Sequence, residues 1–420
     1  MAPADHNWRF SRASVEGLPS QGWKLHVAAT ILTAARMLRT IGPALTSEGA
    51  YFKGPRDLRF LDRLNSGIDG FSQTGKCFTV YCRDASEAAS LAAMLHRLTA
   101  GMAHPGVPYD RRYRPGSAVH YRYGAFDNRT TSGPGKVRVG AIRNPRGRLV
   151  PDRREAGRAV PGWVDDPLRD PAAESTQEWS PLALDYRAFK VLRRRGKGSV
   201  YLGLDLTRAP ARLCVIKEGL RHGETDPLGH DGYWRVRREV RNLRALSRAG
   251  IPVPSVIAAF DADDAYFVVL EHIEGATLAE IIAARDIDAV TARSLSRRVR
   301  QLVNQIHDAG WAWRDLKPEN LLVTDGGALR PVDFEGACRL DAEQPLPGWG
   351  TAEYLPARWS HGDTVTPLEE DLHAARVIAR ELTAAVPVLI DRRSGATYSV
   401  RSDRLSGRHT SAGNPSGGKQ

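Results

Sequence analysis

Hydrophobic and polar positions alternate in short stretches through the first part of the chain. Residues 22–28 alternate and predict a strand, since successive side chains of a strand point to opposite faces. Residues 50–53 and 75–81 predict a second and a third strand. Residues 29–47 and a segment that begins at Ser86 carry apolar residues at helical spacing. Lys24 and His26 lie two residues apart on the first strand, so both point to one face. The pattern predicts a small domain of helices and strands over residues 1–145.

The second half of the chain has a different order of elements. A strand–turn–strand pattern around residues 191–200 precedes a strand at 213–217, a helix at 233–247 and a buried strand at 265–273. Helices over 291–309 and from Asp371 onward follow. We therefore predict an α+β protein whose second domain spans residues 183–395. Residues 146–182 are rich in Pro and Arg and predict a partly extended linker, and residues 396–420, rich in Ser, Gly and Arg, predict a disordered tail.

Charge and cysteine content narrow the function classes. The 420-residue chain has a formal net charge of +12, which favours an acidic partner. Arginine is spread along the chain, so specific nucleic-acid binding is not expected. The 4 cysteines show no metal-type spacing and predict thiols in a reducing compartment. No stretch approaches the roughly 20 apolar residues of a membrane span, and we expect a soluble cytoplasmic protein.

Residues 314–320, Arg-Asp-Leu-Lys-Pro-Glu-Asn, precede Asp-Phe-Glu-Gly at 333–336. Phosphoryl transfer needs a carboxylate near the attacking hydroxyl, a cation near the transferred phosphate and oxygen ligands for magnesium. Asp315, Lys317, Asn320 and Asp333 supply these groups in that order. The pair of motifs resembles the catalytic loop and metal-binding motif of protein kinases. The resemblance implies Asp315 as catalytic base, Lys317 on the phosphate, and Asn320 and Asp333 as Mg²⁺ ligands in a bilobal kinase-like domain.

Further residues match the kinase pattern, and each implies a nucleotide contact for ATP or GTP. Lys217 on the third strand of the domain would contact phosphate, and Glu239 on the following helix would pair with it. The nucleotide-binding residues implied by the resemblance are Gly196, Gly198, Val200, Lys217, Glu239, and, near the base, Glu271 and Ile273.

The sequence also departs from the kinase pattern. Arg193 and Arg195 replace the first two glycines of the Gly-rich loop, Trp313 replaces the usual histidine, and Glu335 replaces a glycine. The segment 356–358 lacks the glutamate that normally ends the activation segment, which predicts a shortened C-terminal lobe.

A basic cluster with one histidine marks residues 1–145. Elimination of phosphate from phosphoserine or phosphothreonine needs a base for the α-proton, a cation beside the developing enolate, and arginines and an acid for the leaving phosphate. The residues 22–27, 52–53, 75–76, 110–113 and 121–126 resemble the N-terminal lyase domain of class III and IV lanthipeptide synthetases. The resemblance implies His26 as general acid, Lys53 as base and Lys24 on the substrate carbonyl or phosphate. It assigns phosphate binding to Lys76, Arg122 and Arg112.

The two resemblances together imply a dehydratase of a ribosomal precursor peptide. It would phosphorylate Ser and Thr and then eliminate phosphate to give dehydroalanine and dehydrobutyrine. The synthetases also carry a cyclase domain, for which no residues remain here, so a separate cyclase, a product left dehydrated or a truncated gene are the expected explanations. The alternatives are a Ser/Thr protein kinase with a basic regulatory domain and a pseudokinase that only binds.

Overall fold

The computed structural model describes residues 7–11, 16–133, 135, 137–170, 185–341, 349–358, 365–390 and 397–399. The chain divides into two compact units. The first comprises Met1–Val240 with Val256–His272, and the second comprises Arg241–Ser255 with Ile273–Gln420. Helices and sheets occur in both units, so the α+β prediction is confirmed.

An antiparallel sheet organises the N-terminal part of the first unit. Its strand order is β1-β3-β4-β2-β6-β5. The strands are β1 (Trp8–Phe10), β2 (Gln21–Val27), β3 (Tyr51–Pro55), β4 (Phe78–Tyr81), β5 (Arg111–Arg112) and β6 (Val119–Ala125). Three helices accompany them, α1 (Ala34–Ser47), α2 (Leu58–Ser66) and α3 (Ala85–Leu98).

The core lies on one face of this sheet. Trp23, Leu25 and Val27 of β2 alternate with Lys24 and His26 and join the buried cluster. The helices α1 and α3 contribute their apolar side chains to the same cluster. These are Ala34, Met37, Ile41 and Leu45 from α1, and Ala88, Leu91, Ala92 and Leu95 from α3. The opposite face of the sheet is therefore the one that carries the polar side chains of β2.

Two elements differ from the sequence expectations. The predicted strand over residues 75–81 is shortened to β4, because Gly75 has φ +76° and Cys77 donates to the Gly75 carbonyl in a turn. Lys76 therefore lies just before the strand. The helix α2 was not predicted; Asp57 caps it by accepting from the N–H of Phe60, and Gly67 ends it with φ +78°.

Residues beyond 145 are folded onto this part of the chain. The strands β7 (Thr130–Ser132), β8 (Arg138–Arg143) and β9 (Leu149–Pro151) form a small antiparallel sheet. Further along, Leu168 is 1% exposed and belongs to the core cluster. The segment that the sequence pattern assigned to a linker thus supplies a strand and a core residue up to 170, and its part from 171 to 182 lies outside the described residues.

The rest of the first unit is a second antiparallel sheet with the first half of one helix, whose residues from Arg241 onward are assigned to the second unit. Its order is β10-β11-β12-β14-β13. The elements are β10 (Tyr186–Arg195), β11 (Gly198–Asp205), β12 (Arg212–Leu220), β13 (Val256–Ala262), β14 (Ala265–Glu271) and the helix α4 (Gly232–Arg248). Val236, Val240, Leu243 and Leu246 of α4 are buried, as the helical spacing predicts.

The second unit is mainly helical, with α5 (Leu278–Ala284), α6 (Ala289–Asp308) and α7 (Pro367–Ala384). Short strands support its loops. They are β15 (Ala276–Thr277), β16 (Trp311–Ala312), β17 (Leu321–Val323), β18 (Leu329–Pro331), β19 (Cys338–Arg339), β20 (Val388–Ile390) and β21 (Thr397–Ser399). β21 pairs with β20, and the other residues of the predicted tail 396–420 lie outside the described part. None of the helices in the described residues has the length and apolar character needed to span a membrane.

Candidate active sites

The polar face of the first sheet carries two rows of side chains that run across its strands. Residues directly opposite each other on antiparallel strands have their side chains on the same face. The first row, by strand pairing, is Lys53, Thr79, His26, His120 and Arg112. The second row is Tyr51, Tyr81, Lys24 and Arg122. The fold therefore brings five of the predicted lyase residues onto one surface.

Asp110 links these cations. Its Oδ2 lies 2.5 Å from Nδ1 of His26, and its Oδ1 lies 3.2 Å from Nζ of Lys76 and 3.9 Å from Nε of Arg122. The Asp110 side chain is 1% exposed. No role for Asp110 follows from the sequence alone, although it is the first residue of the lyase-like run 110–113. A buried carboxylate at this point orients the imidazole and holds two cations beside it.

Arg122 has a second buried carboxylate partner, which comes from the segment after residue 145. Its Nη2 donates to Oδ1 of Asp152 at 2.5 Å and to the carbonyl of Arg153 at 3.0 Å. Because the side chains of Arg122 and Asp152 are only 2% and 6% exposed, the guanidinium is fixed in one orientation. A cavity of about 700 Å³ lies next to this pair and is lined by Asp152, Tyr123 and Trp163 among others.

Burial changes the protonation of the two lysines in this cluster. Burial and the neighbouring Arg122 lower the pKa of Lys24 to about 7, against the opposing charge of Asp152. Burial also lowers the pKa of Lys76 to about 8, although Asp110 opposes the change. Lys24 is therefore divided between its charged and neutral forms near neutral pH.

His26 and Asp110 form a coupled pair. Burial lowers the pKa of His26 to about 3, with the Asp110 charge opposing it. Burial alone would raise the pKa of Asp110, but His26 and Lys76 outweigh it and hold the pKa of this carboxyl well below its usual range. Asp110 is thus the charged member of the pair, and the imidazole donates its Nδ1–H to it.

The other two predicted lyase residues have partners of their own. Nζ of Lys53 lies 3.9 Å from the ring centroid of Trp8, a distance typical of a cation–π contact. Arg112 donates to Oδ2 of Asp264 at 2.8 Å, at an exposed position. Arg112 and His120 also line a cavity of about 440 Å³ together with Asp110. His120 is 2% exposed and was not singled out by sequence.

In the second sheet of the first unit, Lys217 and Glu239 form the predicted pair. Nζ of Lys217 lies 2.6 Å from Oε1 of Glu239, whose side chain is 1% exposed. Val200 pairs directly with Lys217 and so shares its face of the sheet. Gly196 lies in the turn between β10 and β11, and Gly198 begins β11 with φ +144°. Glu271 is the last residue of β14. Ile273, which belongs to the second unit, is nearly buried.

In the second unit, Asp315 is the centre of a compact polar cluster. Its Oδ2 lies 2.7 Å from Nζ of Lys317, and its Oδ1 accepts from Oγ1 of Thr351 at 2.8 Å. Lys317 also donates to Thr351 at 2.9 Å. The Nδ2 of Asn320 donates to the carbonyl of Asp315 at 2.8 Å. Burial raises the pKa of Asp315, and the nearby Asp333 adds to this, while Lys317 opposes it.

The backbone of this loop is held by Asp371. The two carboxylate oxygens of Asp371 accept the N–H groups of Trp313 and Arg314, each at 2.7 Å. The sequence pattern placed the start of this helix at Asp371, whereas α7 begins earlier, at Pro367. Arg314 has φ +69° and pairs with Glu370 at 2.9 Å, so the strained backbone is fixed from two sides.

Four residues of these sites were not found from the sequence, and their signals were weak. Asp110 and Asp152 are single carboxylates in arginine-rich stretches, and His120 lies in a strand whose neighbours are aromatic. Thr351 lies within the segment 350–354, which resembles the substrate side of a kinase activation segment, but its contact with Asp315 spans 36 positions. The hydrogen bonds of Asp110, Asp152 and Thr351 join distant parts of the chain.

A lysine–glutamate pair on a sheet and helix, and an aspartate–lysine–threonine cluster held by a buried aspartate, define a phosphotransferase of the protein-kinase type. Residues 195–409 match the protein kinase domain model, and the chain belongs to this family. Residues 2–178 match the model described as RamC, N-terminal domain.

The chain is also similar to individual proteins. The chain is 32% identical over 351 residues to a protein named probable SapB synthase from Streptomyces coelicolor, which covers 80% of this chain and 37% of that protein. It is 30% identical over 187 residues to the serine/threonine-protein kinase PknB of Mycobacterium leprae, covering 41% of this chain and 29% of the relative. The PknB of Mycolicibacterium smegmatis is 29% identical over 234 residues, 52% of this chain and 36% of the relative. The chain thus spans about a third of the length of these curated relatives.

Proposed function

We propose that this protein dehydrates serine and threonine residues of a ribosomal precursor peptide in two steps, as in lanthipeptide biosynthesis. The first step is phosphorylation of the hydroxyl, and the second is elimination of the phosphate to leave dehydroalanine or dehydrobutyrine. The observation that carries the proposal is that one chain holds both the Asp315 cluster of a kinase and the cationic sheet face around Asp110. The similarity to a protein named SapB synthase over most of the chain supports it.

Phosphorylation is assigned to the kinase residues. The carboxylate of Asp315 accepts the proton of the Ser or Thr hydroxyl while the new O–P bond forms and the bond to the nucleoside diphosphate breaks. Lys317 and Thr351 hold this carboxylate in place, and Lys317 adds a positive charge beside the transferred group. The pair Lys217–Glu239 presents a fixed ammonium group to the nucleotide phosphates.

The donor atoms fit the nucleotide and metal that the protein kinase family uses in general. Asn320 uses its amide nitrogen on Asp315 and so offers its oxygen, and Asp333 offers a carboxylate; these are the ligands that Mg²⁺ prefers. We assign Mg²⁺ to these two residues. Bound Mg²⁺ would neutralise charge on the phosphates. The family pattern assigns the phosphoryl donor, ATP or GTP, to Gly196, Gly198, Val200, Glu271 and Ile273.

Elimination is assigned to the cationic sheet face. A lysine removes the α-proton, the electron pair of the C–H bond forms the double bond, and the Cβ–O bond breaks with its electrons on the phosphate. Arg122 and Lys76 hold the phosphate, with Arg112 at the end of the row. A phosphate dianion beside His26 would raise the pKa of its imidazole, because an anion favours the charged form, and would so make His26 the acid that protonates the leaving group.

Lys53 and Lys24 take different parts in this step. We assign the base to Lys53, as the family resemblance implies, and the contact with the substrate carbonyl or phosphate to Lys24. The pKa of Lys24 near 7 makes Lys24 the competing candidate for the base. The two assignments predict opposite pH dependences, which are described in the Discussion.

The partner is a peptide, and the net charge of +12 suits an acidic leader segment. The cavity beside Asp152 has room for side chains next to the phosphorylated residue. Two sites on one chain raise the local concentration of the phosphorylated peptide at the second site. Formation of thioether rings would need a cyclase site in addition to these two sites. The 4 cysteines are free and buried, which fits a reducing cytoplasm.

Mass spectrometry of a peptide substrate tests the proposal. A candidate precursor peptide that contains Ser and Thr is incubated with the full chain, nucleotide and magnesium. We expect the loss of one water per modified residue. A gain of one phosphoryl group per residue, without water loss, would instead support a Ser/Thr kinase with a basic regulatory domain. Nucleotide binding without any mass change would support a pseudokinase.

A synthetic phosphoserine peptide tests the second step by itself. We expect the full chain to convert it to the dehydroalanine peptide and inorganic phosphate without nucleotide. His26→Ala and Lys53→Ala should abolish this conversion and leave phosphorylation intact. Retention of elimination in both variants would contradict the assignment of the sheet face as a lyase site.

A further inference from the structure

The turn between β10 and β11 is in backbone contact with the end of helix α2. The N–H of Gly196 donates to the carbonyl of Ser66 at 3.0 Å. A Cβ placed on Gly196 would lie 1.5 Å from the carbonyl oxygen of Asn65. The approach is therefore so close that only glycine fits at this position of the turn.

The same turn is enclosed on its other side by the strand and helix that follow it. The carbonyl of Lys197 accepts the N–H of Leu220 at 2.9 Å. A Cβ on Gly232 would lie 1.7 Å from the carbonyl oxygen of Lys197, and one on Gly223 would lie 2.4 Å from that of Gly196. The turn is thus held between two backbone surfaces.

A side-chain contact beside the turn also joins it to the segment that precedes Asp110. The guanidinium of Arg194 donates to the hydroxyl of Tyr109 at 2.9 Å and lies 5.5 Å from the ring centroid of Phe71. Tyr109 has φ +66° and directly precedes Asp110, which holds His26 and Lys76. The residues that order the sheet-face cluster and those that order the turn are therefore neighbours.

We infer that the α2 end, residues 65–67, together with Tyr109, positions the turn that binds the nucleotide phosphates, so that the N-terminal domain takes part in phosphoryl transfer. The inference rests on the kinase half of the proposed function. Backbone N–H groups of such a turn bind phosphate best when they are held in place before the nucleotide arrives. Arg193 and Arg195 stand where kinases have two further glycines, and a contact from outside the kinase domain supplies the conformation that those glycines would allow.

Two glycines in the loop after α2 offer a matched pair of variants. Gly67 has φ +78°, and a Cβ there would lie 3.4 Å from the N atom of Gly196 and 3.3 Å from Oγ1 of Thr74. Gly70 has φ +106° and no atom within 4 Å of its Cβ position. Gly67→Ala and Gly70→Ala both place alanine at a positive φ; Gly67, with ψ 10°, lies in the αL region, and Gly70, with ψ 129°, lies outside it, so the backbone penalty is larger in the control. Only the first variant presses on the turn.

The test uses the full chain and three readouts: affinity for a fluorescent ATP analogue, the nucleotide KM and kcat of phosphorylation, and elimination from a synthetic phosphoserine peptide. We expect Gly67→Ala to weaken nucleotide binding and raise the nucleotide KM about tenfold, the size of one lost positioning hydrogen bond. Elimination should stay within about twofold of wild type in both variants, a change too small to reflect a lost contact. Gly70→Ala should leave nucleotide binding unchanged.

Tyr109→Phe is the second variant, because it removes only the hydroxyl that accepts from Arg194. It should also raise the nucleotide KM, with a smaller effect. Unchanged nucleotide affinity in both Gly67→Ala and Tyr109→Phe would overturn the inference, as would equal losses of nucleotide binding in Gly67→Ala and Gly70→Ala. The affinity measurement needs no peptide, so it tests this inference even if the wild-type chain dehydrates no substrate. Nucleotide binding without dehydration would refute the proposed function, and the variants would still show whether the α2 end positions the turn.

Discussion

The indole N–H of Trp313 donates to the carbonyl oxygen of Asp333 at 3.0 Å. The Trp313 ring also stacks on Phe334, with ring centroids 4.9 Å apart and planes inclined by 11°. Trp313 is 0% exposed. A tryptophan at the position of the usual histidine thus still ties the catalytic loop to the metal-binding motif, with more buried apolar surface.

Trp313→Phe tests this tie. A phenylalanine can keep the stack but cannot donate, so the partly buried Asp333 carbonyl would lose a partner, at a cost of about 2 kcal/mol in the free energy of unfolding. We also expect slower phosphorylation, because the backbone of Asp333 would be less well held. Urea denaturation and phosphorylation assays measure the two effects. Trp163→Phe, at a position 46% exposed, is the control and should change neither.

Glu239→Gln should separate the two half-reactions. The amide cannot neutralise Lys217, so we expect phosphorylation to fall about tenfold or more, while elimination from a synthetic phosphoserine peptide stays at the wild-type rate. The exposed Lys190→Met is the control for a change of surface charge on the same sheet. Equal loss of both reactions in Glu239→Gln would mean that the variant unfolds the chain.

The pH dependence of elimination distinguishes the roles of Lys24 and Lys53. Lys24 is charged below its pKa of about 7 and neutral above it. If it acts as a cation on the substrate, kcat/KM should fall as the pH rises through about 7, and this is the result we expect. Lys24→Arg, which keeps the charge at higher pH, should extend activity upward.

The opposite profile would reverse the assignment of the two lysines. A rise of kcat/KM through about pH 7, with Lys24→Arg inactive, would make Lys24 the base. Lys53→Arg would then retain measurable elimination, whereas it should be inactive if Lys53 is the base. The measurement uses the synthetic phosphoserine peptide, so the kinase step does not contribute.

Asp110→Asn should cause phosphorylated peptide to accumulate. The amide removes the negative charge that orients His26 and holds Lys76, so we expect elimination to slow about a hundredfold, as for the loss of a general acid. Phosphorylation should continue. The exposed Asp165→Asn is the control, and mass spectrometry distinguishes the phosphorylated from the dehydrated peptide. Dehydration at the wild-type rate in Asp110→Asn would show that Asp110 does not order the site.

Leu168→Ala tests whether the segment after residue 145 belongs to the N-terminal fold. Leu168 is 1% exposed within the core, so truncation should lower the free energy of unfolding by about 3 kcal/mol. Leu149→Ala, at a position 38% exposed, should cost far less. Equal small effects would indicate that the segment lies on the surface. Urea denaturation of the full chain, followed by tryptophan fluorescence, measures both.

The sequence by itself predicted those features that depend on local spacing. Lys24 and His26 share a face because they lie two apart on a strand, and Lys217 pairs with Glu239 because a strand and the helix after it carry them in a known pattern. The run that contains Asp315, Lys317 and Asn320 was recognisable because its members lie close together in the chain.

The tertiary structure decided which distant residues meet. Asp110 reaches His26 across 84 positions, Thr351 reaches Asp315 across 36, and Gly196 meets Ser66 through backbone atoms alone. Asp152 and Leu168 become parts of the N-terminal fold in a stretch whose composition predicts a linker. A contact between backbone atoms leaves no pattern of side chains in the sequence. The role of a single carboxylate can be assigned only once the fold shows which cations lie beside it. These contacts are therefore set by chain packing, on which local periodicity carries no information.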